Sequence, residues 1–515
     1  MHLTNALHRA VRQNPRLPAT IFGDRVRTWE ESAERIARLG SALKELGVQS
    51  GDRVAILSLN SDAFHEYLFA VPWADGVIAP MNYRWSLAEI IECLNDSEPC
   101  VLFVDDAFSH LVEQLRAEVP SLRAFVFCGE GSAPAGTLQL EELIAGHESI
   151  PDARRGGDAL AALYYTGGTT GRPRGVMLSH LNLVSSALGA QATGAFVIPG
   201  GRHLHSAPLF HLGAGAGWLA RNLAGGSHVI LQQFAPEPVA DAISKYEVTD
   251  AILMPTMIQM LVDSPDTQDH DLSSLQRLIY GASPISDALL ERAAKRLPGV
   301  GFSQIYGMTE TSPVTAVLDP AAHNDAVLRR SAGRAAPHAE VMIVDNEDRE
   351  IPSGQVGEVV IRGPHVMRGY WNLPEMSAET LRGGWMHTGD GGYVDANGYL
   401  FIVDRIKDMI ISGGENVYST EVENALATHP AVASCVVIGV PDEEWGERVH
   451  AVVVCQPGTT TTAAELRTHC KGLIAGYKTP RSVDFVDALP TTAAGKVLKR
   501  ELRSRYWPAA GRQVS

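Results

Sequence analysis

The sequence predicts an α/β protein in two parts. A large N-terminal domain of layered α/β sheets with a β-rich portion spans 1–404, and a small α+β C-terminal domain spans 405–515. Three observations predict it. Short apolar runs alternate with amphipathic stretches from the N-terminus to about Tyr280, the rhythm of stacked helix and sheet layers. From about Val341 the texture changes to short runs separated by turns, as in β-rich structure. Finally, 515 residues exceed what one compact core fills, so two or more domains are expected.

Residues 30–46 carry Ile36, Leu39, Leu43 and Leu46 at spacings of three and four, which predicts a helix that Gly47 stops. The run 54–57 reads as a buried strand, 62–74 as a helix and 77–80 as the next strand. Residues 132–136 and 151–158 read as loops. The apolar runs 159–163 and 176–178 flank a Gly/Thr-rich loop. Strands follow at 229–231, 251–254 and 278–280, with helices between, and the β-rich texture appears at 341–344, 357–361 and 399–403. Residues 404–408 form a charged break. Beyond it come a helix at 421–428, strands at 432–440 and 450–455, and a helix at 463–470.

Composition narrows the function. Hydrophobic content of 45% and charged content of 20% are ordinary for a soluble globular protein. A formal charge of -16 opposes binding to nucleic acid or to an anionic membrane surface. The six cysteines include no C-x-x-C, and their spacing fits neither a zinc site nor a disulfide framework, so a reduced cytoplasmic setting is expected. No signal peptide, membrane-spanning run or peroxisomal tail is evident.

Residues 164–175 (YYTGGTTGRPRG) are the most informative stretch. Glycines let backbone N–H groups turn toward an anion, threonines add hydroxyl donors, and Arg172 and Arg174 add positive charge. The Walker spacing G-x-x-x-x-G-K-[ST] is absent, and no helix obviously opens after the loop. Alone, the stretch reads as well as a flexible turn. Residues 304–310 (QIYGMTE) offer an aromatic face, a glycine, a hydroxyl and a carboxylate, suited to base stacking and metal holding or to an ordinary strand-end turn. Asp390 follows Gly389 and reads as a ribose acceptor or a β-turn acid. Lys496 follows Gly495 in a polar segment and suits transient neutralisation of charge, although a solvated lysine has the same appearance.

These motifs, with Gly357-Glu358, 369–372 (GYWN) and 404–423, occur in an order and spacing that resemble the adenylate-forming superfamily across essentially the whole chain. The superfamily contains acyl-CoA synthetases, luciferases and the adenylation domains of peptide synthetases. The resemblance implies an ATP-dependent ligase that makes an acyl-adenylate and then an acyl-CoA, with ATP, Mg²⁺ and coenzyme A. Thr166, Gly167, Gly168, Thr169, Thr170, Gly171 and Arg174 would cradle the phosphates, with Thr169 and Glu310 near the metal. Adenine would lie between Tyr306 and the turn Gly281-Ala282-Ser283-Pro284, with Gln304, Gly307, Met308 and Thr309 completing the nucleotide site. Asp390 and Arg405 would hold the ribose, and Lys496 would bridge the substrate carboxylate and the α-phosphate. Catalysis would rest on Lys496, Glu310, Thr169 and Arg174. Lys407 falls at the hinge position about which the mobile C-terminal domain rotates. Ser412, Gly413 and Gly414 would line a pantetheine tunnel, and His211 would gate an acyl pocket walled by Leu212, Gly213, Gly215, Gly281, Gly307 and Met308.

Four positions depart from the commonest pattern. Gly167 stands where serine is usual, Arg174 replaces lysine, Ser419 stands where proline is frequent, and Lys407 stands where many CoA ligases carry Asp. The apolar pocket wall favours a medium- or long-chain fatty acid, with an aryl or phenylpropenoic acid as the alternative. A carrier protein in place of CoA is the rival acceptor, and a homodimer is a candidate assembly. A non-enzymatic binding module is opposed by the presence of Glu310, Asp390, Arg405 and Lys496. The glycines at 213, 215 and 217 fail the dinucleotide fingerprint, because Trp218 stands where its spacing breaks, and they read as room for substrate. His203 and His205 read as structural rather than metal-binding.

Overall fold

The computed structural model describes residues 1–167, 173–283, 285–413, 415–491 and 497–507, with Lys407 described in its backbone only. Two units emerge. The larger comprises 1–282, 297–340 and 361–386, and the smaller comprises 283–296, 341–360 and 387–515.

The larger unit is built on two sheets. In the first, eight strands lie in the order Gly369–Tyr370, Pro173–Ser179, Leu160–Gly167, Val77–Pro80, Arg53–Leu57, Val101–Val104, Ala124–Phe127, Leu138–Gln139. Both faces are covered, and the alternation is legible in one strand. Val54 and Ile56 enter one apolar core, while Ala55 and Leu57 enter another on the opposite face. The helix Trp29–Glu45 packs on the first face through Ile36, Leu39 and Leu43, each fully buried. Burying each of these side chains contributes about 1.5–3 kcal/mol. Its start is fixed by a capping box: Thr28 accepts from the Glu31 N–H, and Glu31 accepts from the Thr28 N–H at 2.8 Å. Gly47, at φ 87°, lies just beyond its end.

The second sheet has nine strands. Its parallel centre, Gly301–Tyr306, Arg277–Gly281, Asp250–Ile252, Arg202–His205, Ser227–Ile230 and Pro18–Phe22, carries antiparallel strands at both edges. A buried polar network lies within this unit. Arg221 Nη2 donates to both carboxylate oxygens of Asp250 at 2.7 and 2.9 Å, and His203 Nδ1 lies 2.6 Å from the same carboxylate. His203 and His205 therefore have structural partners, Asp250 and His228. Gly217 lies inside the helix Leu212–Ala224, and a Cβ there would stand 2.2 Å from His203 Nε2. This glycine thus makes room for a histidine, not for substrate.

The smaller unit holds two sheets of its own. One orders Glu340–Val344, Gly357–Arg362, Met386–Val394 and Leu400–Arg405. The other joins Glu415–Val417, Ile410–Ser412, Gly446–Cys455 and Val432–Asp442, with Ser482–Phe485 parallel to Gly446–Cys455. The long hairpin again sorts its residues by face. Val437, Val449 and Val453 pack beneath the helices Ser419–Ala427 and Ala463–Lys471, while Val436, Ile438 and Val440 pack around Leu502 of the helix Lys499–Arg503. Residues 404–408 continue the strand to Arg405 and then form the 3₁₀ turn Ile406–Asp408. Among the described residues, no helix is long and apolar enough to cross a membrane.

Candidate active site

In the larger unit the strands Leu160–Gly167 and Pro173–Ser179 pair antiparallel, with Thr166 opposite Arg174 and Gly167 opposite Pro173. The two strands thus form a hairpin. Gly168, Thr169, Thr170 and Gly171 lie outside the described residues. The helix His180–Ala192 does open after the second strand, N-capped by Ser179. The whole strand Pro173–Ser179 lies between that helix and the residues that precede it.

Arg174, Tyr370 and Glu310 converge at the base of this hairpin. The strand Gly369–Tyr370 pairs with it, placing Tyr370 opposite Val176. The Arg174 guanidinium carbon lies 5.7 Å from the Tyr370 ring centroid, and the Tyr370 hydroxyl donates to Glu310 Oε1 at 2.9 Å. The Glu310 carbonyl accepts from Met367 N–H at 2.8 Å, which fixes the backbone carrying the carboxylate. Burial, then the adjacent Glu310 charge, push the Tyr370 phenol well above its ordinary range, so it stays a donor. The motif 369–372 drew attention in the sequence without a role for Tyr370. Only the pairing of two strands far apart in sequence reveals its contact with Glu310.

Glycines shape the neighbouring turn. Gly281 pairs opposite Ile305, and a Cβ on it would lie 2.6 Å from the Ile305 carbonyl oxygen. Gly307, at φ 156°, would bring a Cβ to 2.0 Å from the Pro313 carbonyl oxygen. Ala282 sits at φ 65°, Ser283 follows it, and Pro284 lies outside the described residues. Gln304 accepts from the Tyr280 hydroxyl at 3.2 Å. Tyr306 ends its strand, half-buried, and the Met308 N–H donates to Thr311 Oγ1 at 3.0 Å, bracketing Thr309 and Glu310 in one 3₁₀ turn.

His211 precedes the helix Leu212–Ala224, with its ring 4.3 Å from that of Phe210, which meets Tyr83 at 4.8 Å. Burial, reinforced by Arg84, lowers its pKa to about 4, so the ring is neutral at pH 7. Leu212 is buried and Gly215 lies 3.9 Å, measured from a hypothetical Cβ, from the Tyr164 hydroxyl; among the described residues, no heavy atom beyond its chain neighbours and its own helix backbone stands within 4 Å of a Cβ at Gly213. An apolar cavity of ≈ 10 Å³ beside Leu212, Gly215 and Trp218 is no larger than about one water, too small for an acyl chain.

The smaller unit groups a second set. Asp390 and Arg405 stand opposite each other on adjacent strands, with Arg405 Nε 2.5 Å from Asp390 Oδ1. Ser412 ends the strand before the Gly413 turn. Gly413 adopts φ 63°, its N–H donates to the Trp445 carbonyl at 2.8 Å, and a Cβ on it would lie 2.5 Å from the Trp445 ring. Trp445 in turn carries Arg481 at 4.1 Å from its ring. Trp445 had no signal in the sequence beyond being aromatic. Gly414, Lys496 and the Lys407 side chain lie outside the described residues.

Comparison with known proteins identifies the class. Residues 7–371 match the AMP-binding enzyme family and residues 421–496 match the AMP-binding enzyme C-terminal domain. The chain belongs to this adenylate-forming family. A fatty acid–[acyl-carrier-protein] ligase of Streptomyces coeruleorubidus is 39% identical over 99% of this chain and 97% of its own. A feruloyl-CoA synthase of an Amycolatopsis species is 41% identical over 97% of this chain and 98% of its own. The crystal structure of an anthranilate CoA ligase with anthranoyl-AMP superposes with a TM-score of 0.90 at 28% identity, covering 99% and 98% of the two chains. Within the family, the chain is an AMP-forming acid–thiol ligase.

Proposed function

We propose that the chain is an acyl-CoA synthetase that activates a medium- or long-chain fatty acid. A carboxylate attacks the α-phosphorus of ATP, pyrophosphate leaves, and the CoA thiol then attacks the acyl-adenylate carbonyl and expels AMP. The observation that carries the reading is the convergence of Arg174, Tyr370 and Glu310 at the base of the Gly/Thr hairpin. It joins a cation and a carboxylate beside a loop of backbone donors, as a Mg²⁺–triphosphate requires.

The donor set suits Mg²⁺. Among the described residues no cluster of three His, Cys, Asp or Glu is present, and Mg²⁺ needs none, because it enters with substrate phosphates, keeps several waters and takes one or two carboxylates. Glu310 would be that carboxylate, and Thr169 would add a second oxygen near the ion. When bound, the ion neutralises phosphate charge. The chain's own residues do the rest. Thr166, Gly167 and the loop to Arg174 hold the phosphates, and the turn 281–284 with Tyr306 and Gly307 holds adenine. The Asp390–Arg405 pair fixes a carboxylate for the ribose hydroxyls. Lys496 supplies charge during adenylation, and residues 405–515 turn about Lys407 so that Ser412 and the Gly413-Gly414 turn receive pantetheine.

Neutral His211 and its apolar neighbours support an uncharged acyl tail, as does the relative that acts on a fatty acid. Two observations favour second readings: the feruloyl-CoA synthase relative favours an aryl acid, and the carrier-protein ligase relative favours a carrier thiol. The test is ATP-dependent consumption of a panel of fatty, aryl and amino acids, each with CoA, with a holo carrier protein, or with neither. Pyrophosphate, AMP and thioester are quantified together. Thioester and AMP from fatty acids with CoA are expected. Thioester only on the carrier protein, or only from aryl acids, overturns the acceptor or the acid respectively.

A further inference from the structure

The two acids that flank the hinge turn are both tied to the short helix that follows Lys496. Asp404, mostly buried, precedes the turn Ile406–Asp408, and its Oδ2 accepts from both the N–H and the hydroxyl of Ser419 at 2.6 Å. The Ser419 hydroxyl oxygen in turn accepts from Lys499 Nζ, and the same ammonium lies 2.9 Å from Glu423 Oε1. Asp408, at the other end of the turn, pairs with Arg503 Nη1 at 2.6 Å. Lys499 and Arg503 are the first and last residues of one helix, anchored by Leu502 in the core. The neck of the segment bearing Lys496 is closed immediately before that helix: Thr491 bridges Val497, and the Leu498 N–H donates to the Pro490 carbonyl at 2.8 Å.

Ser419 is the telling residue. Proline, frequent here in the family this chain resembles, has neither the N–H nor the hydroxyl that Asp404 and Lys499 use. Burial alone would depress the Lys499 ammonium, but Glu423 and Asp404 outweigh it and hold the pKa above its ordinary value, so the clamp is charged.

Resting on the proposed adenylation role of Lys496, we infer that Lys499 and Arg503 are positioning residues. They tie the neck of the Lys496 segment to Asp404 and Asp408, on either side of Lys407, so that the catalytic lysine is held in register with the hinge turn. Such a clamp serves adenylation, when Lys496 must be aligned, and is idle in thioester formation.

The experiment measures the two half-reactions separately in the full-length enzyme: pyrophosphate release, and acyl transfer to CoA from supplied acyl-adenylate. Lys499→Met and Arg503→Met are each expected to lower kcat for adenylation at least about tenfold, with KM for ATP and acyl transfer within about twofold. Lys499→Arg should recover most of the loss, and Lys499→Met should add no more than about twofold to Lys496→Ala, because one acts through the other. Ser419→Pro keeps the fold, since proline suits the first position of the helix Ser419–Ala427, and should cost adenylation alone about threefold. Unchanged adenylation in Arg503→Met and Ser419→Pro overturns the clamp, even where Lys499→Met does not fold. Equal loss of both half-reactions in folded variants overturns it too. Adenylation surviving in Lys496→Ala would instead remove the lysine's assigned role, an outcome that Lys496→Ala alone decides.

Discussion

Tyr370 shows what one hydroxyl does at this site. It donates to Glu310 while its ring faces Arg174, so it holds the carboxylate in place. Under the proposed reading, Tyr370→Phe should lower adenylation kcat about tenfold or more, the loss of a hydrogen bond to a charged group worth about 1.5–3 kcal/mol. A titration of pyrophosphate release against Mg²⁺ checks it, and an unchanged rate and Mg²⁺ dependence would show that Glu310 needs no such support. Arg221 is a residue of the opposite kind, fully buried with Asp250 and given no part in the proposed chemistry. Arg221→Met removes the buried cation from Asp250 and leaves only polar partners such as His203 and Thr249, so unfolding free energy should drop by about 3–5 kcal/mol in equilibrium denaturation. Residue types drew attention to Glu310 and Asp390 in the sequence, and the family resemblance to Arg405. Tyr370, Trp445 and Lys499 stayed hidden, because each acquires meaning from a partner at least 32 residues away in the chain.

At the scale of elements, periodicity was legible and ends were less so. The helix read at 30–46 is Trp29–Glu45, because Thr28 caps it, and the strand read at 54–57 begins at Arg53. The strand read at 450–455 extends back to Gly446, since its polar half pairs with Val440, Pro441 and Asp442, a cross-strand fact with no local pattern. Glycine carries the turns. Gly413 combines a left-handed φ with a close approach to Trp445, so no other residue sits there without strain. Gly413→Leu should slow thioester formation about tenfold while pyrophosphate release stays within about twofold, because only the second step is proposed to use this turn. Equal slowing of both steps, read in the same assay, would detach the turn from the thiol.

The whole molecule carries a pH limit. Burial lowers His65 and His365 to about 3 and His180 and His211 to about 4, all in the larger unit. Unfolded, each takes a proton near its ordinary value of about 6.5. Their stability is therefore fully present above about pH 6.5 and is lost as the pH falls toward 4, at up to about 1.4 kcal/mol per pH unit for each group. Melting temperature should fall steeply over that window. His65→Gln, which keeps an acceptor for the Trp218 N–H, should make the fall shallower, and an unaltered slope would clear this histidine. The overall fold was readable because alternating helices and strands imply layers, whereas the assignment of 283–296 and 341–360 to the smaller unit depends on contacts that no local pattern encodes. Long-range pairing also sets a clock. The strand Pro173–Ser179 receives its outer partner only when Gly369–Tyr370 has been made, nearly two hundred residues later. At about 5–20 residues per second, a ribosome leaves that edge bare for roughly 10–40 seconds. The tyrosine that braces Glu310 arrives with the same strand, so the nascent chain gains its edge cover and the proposed magnesium carboxylate's support in a single late event.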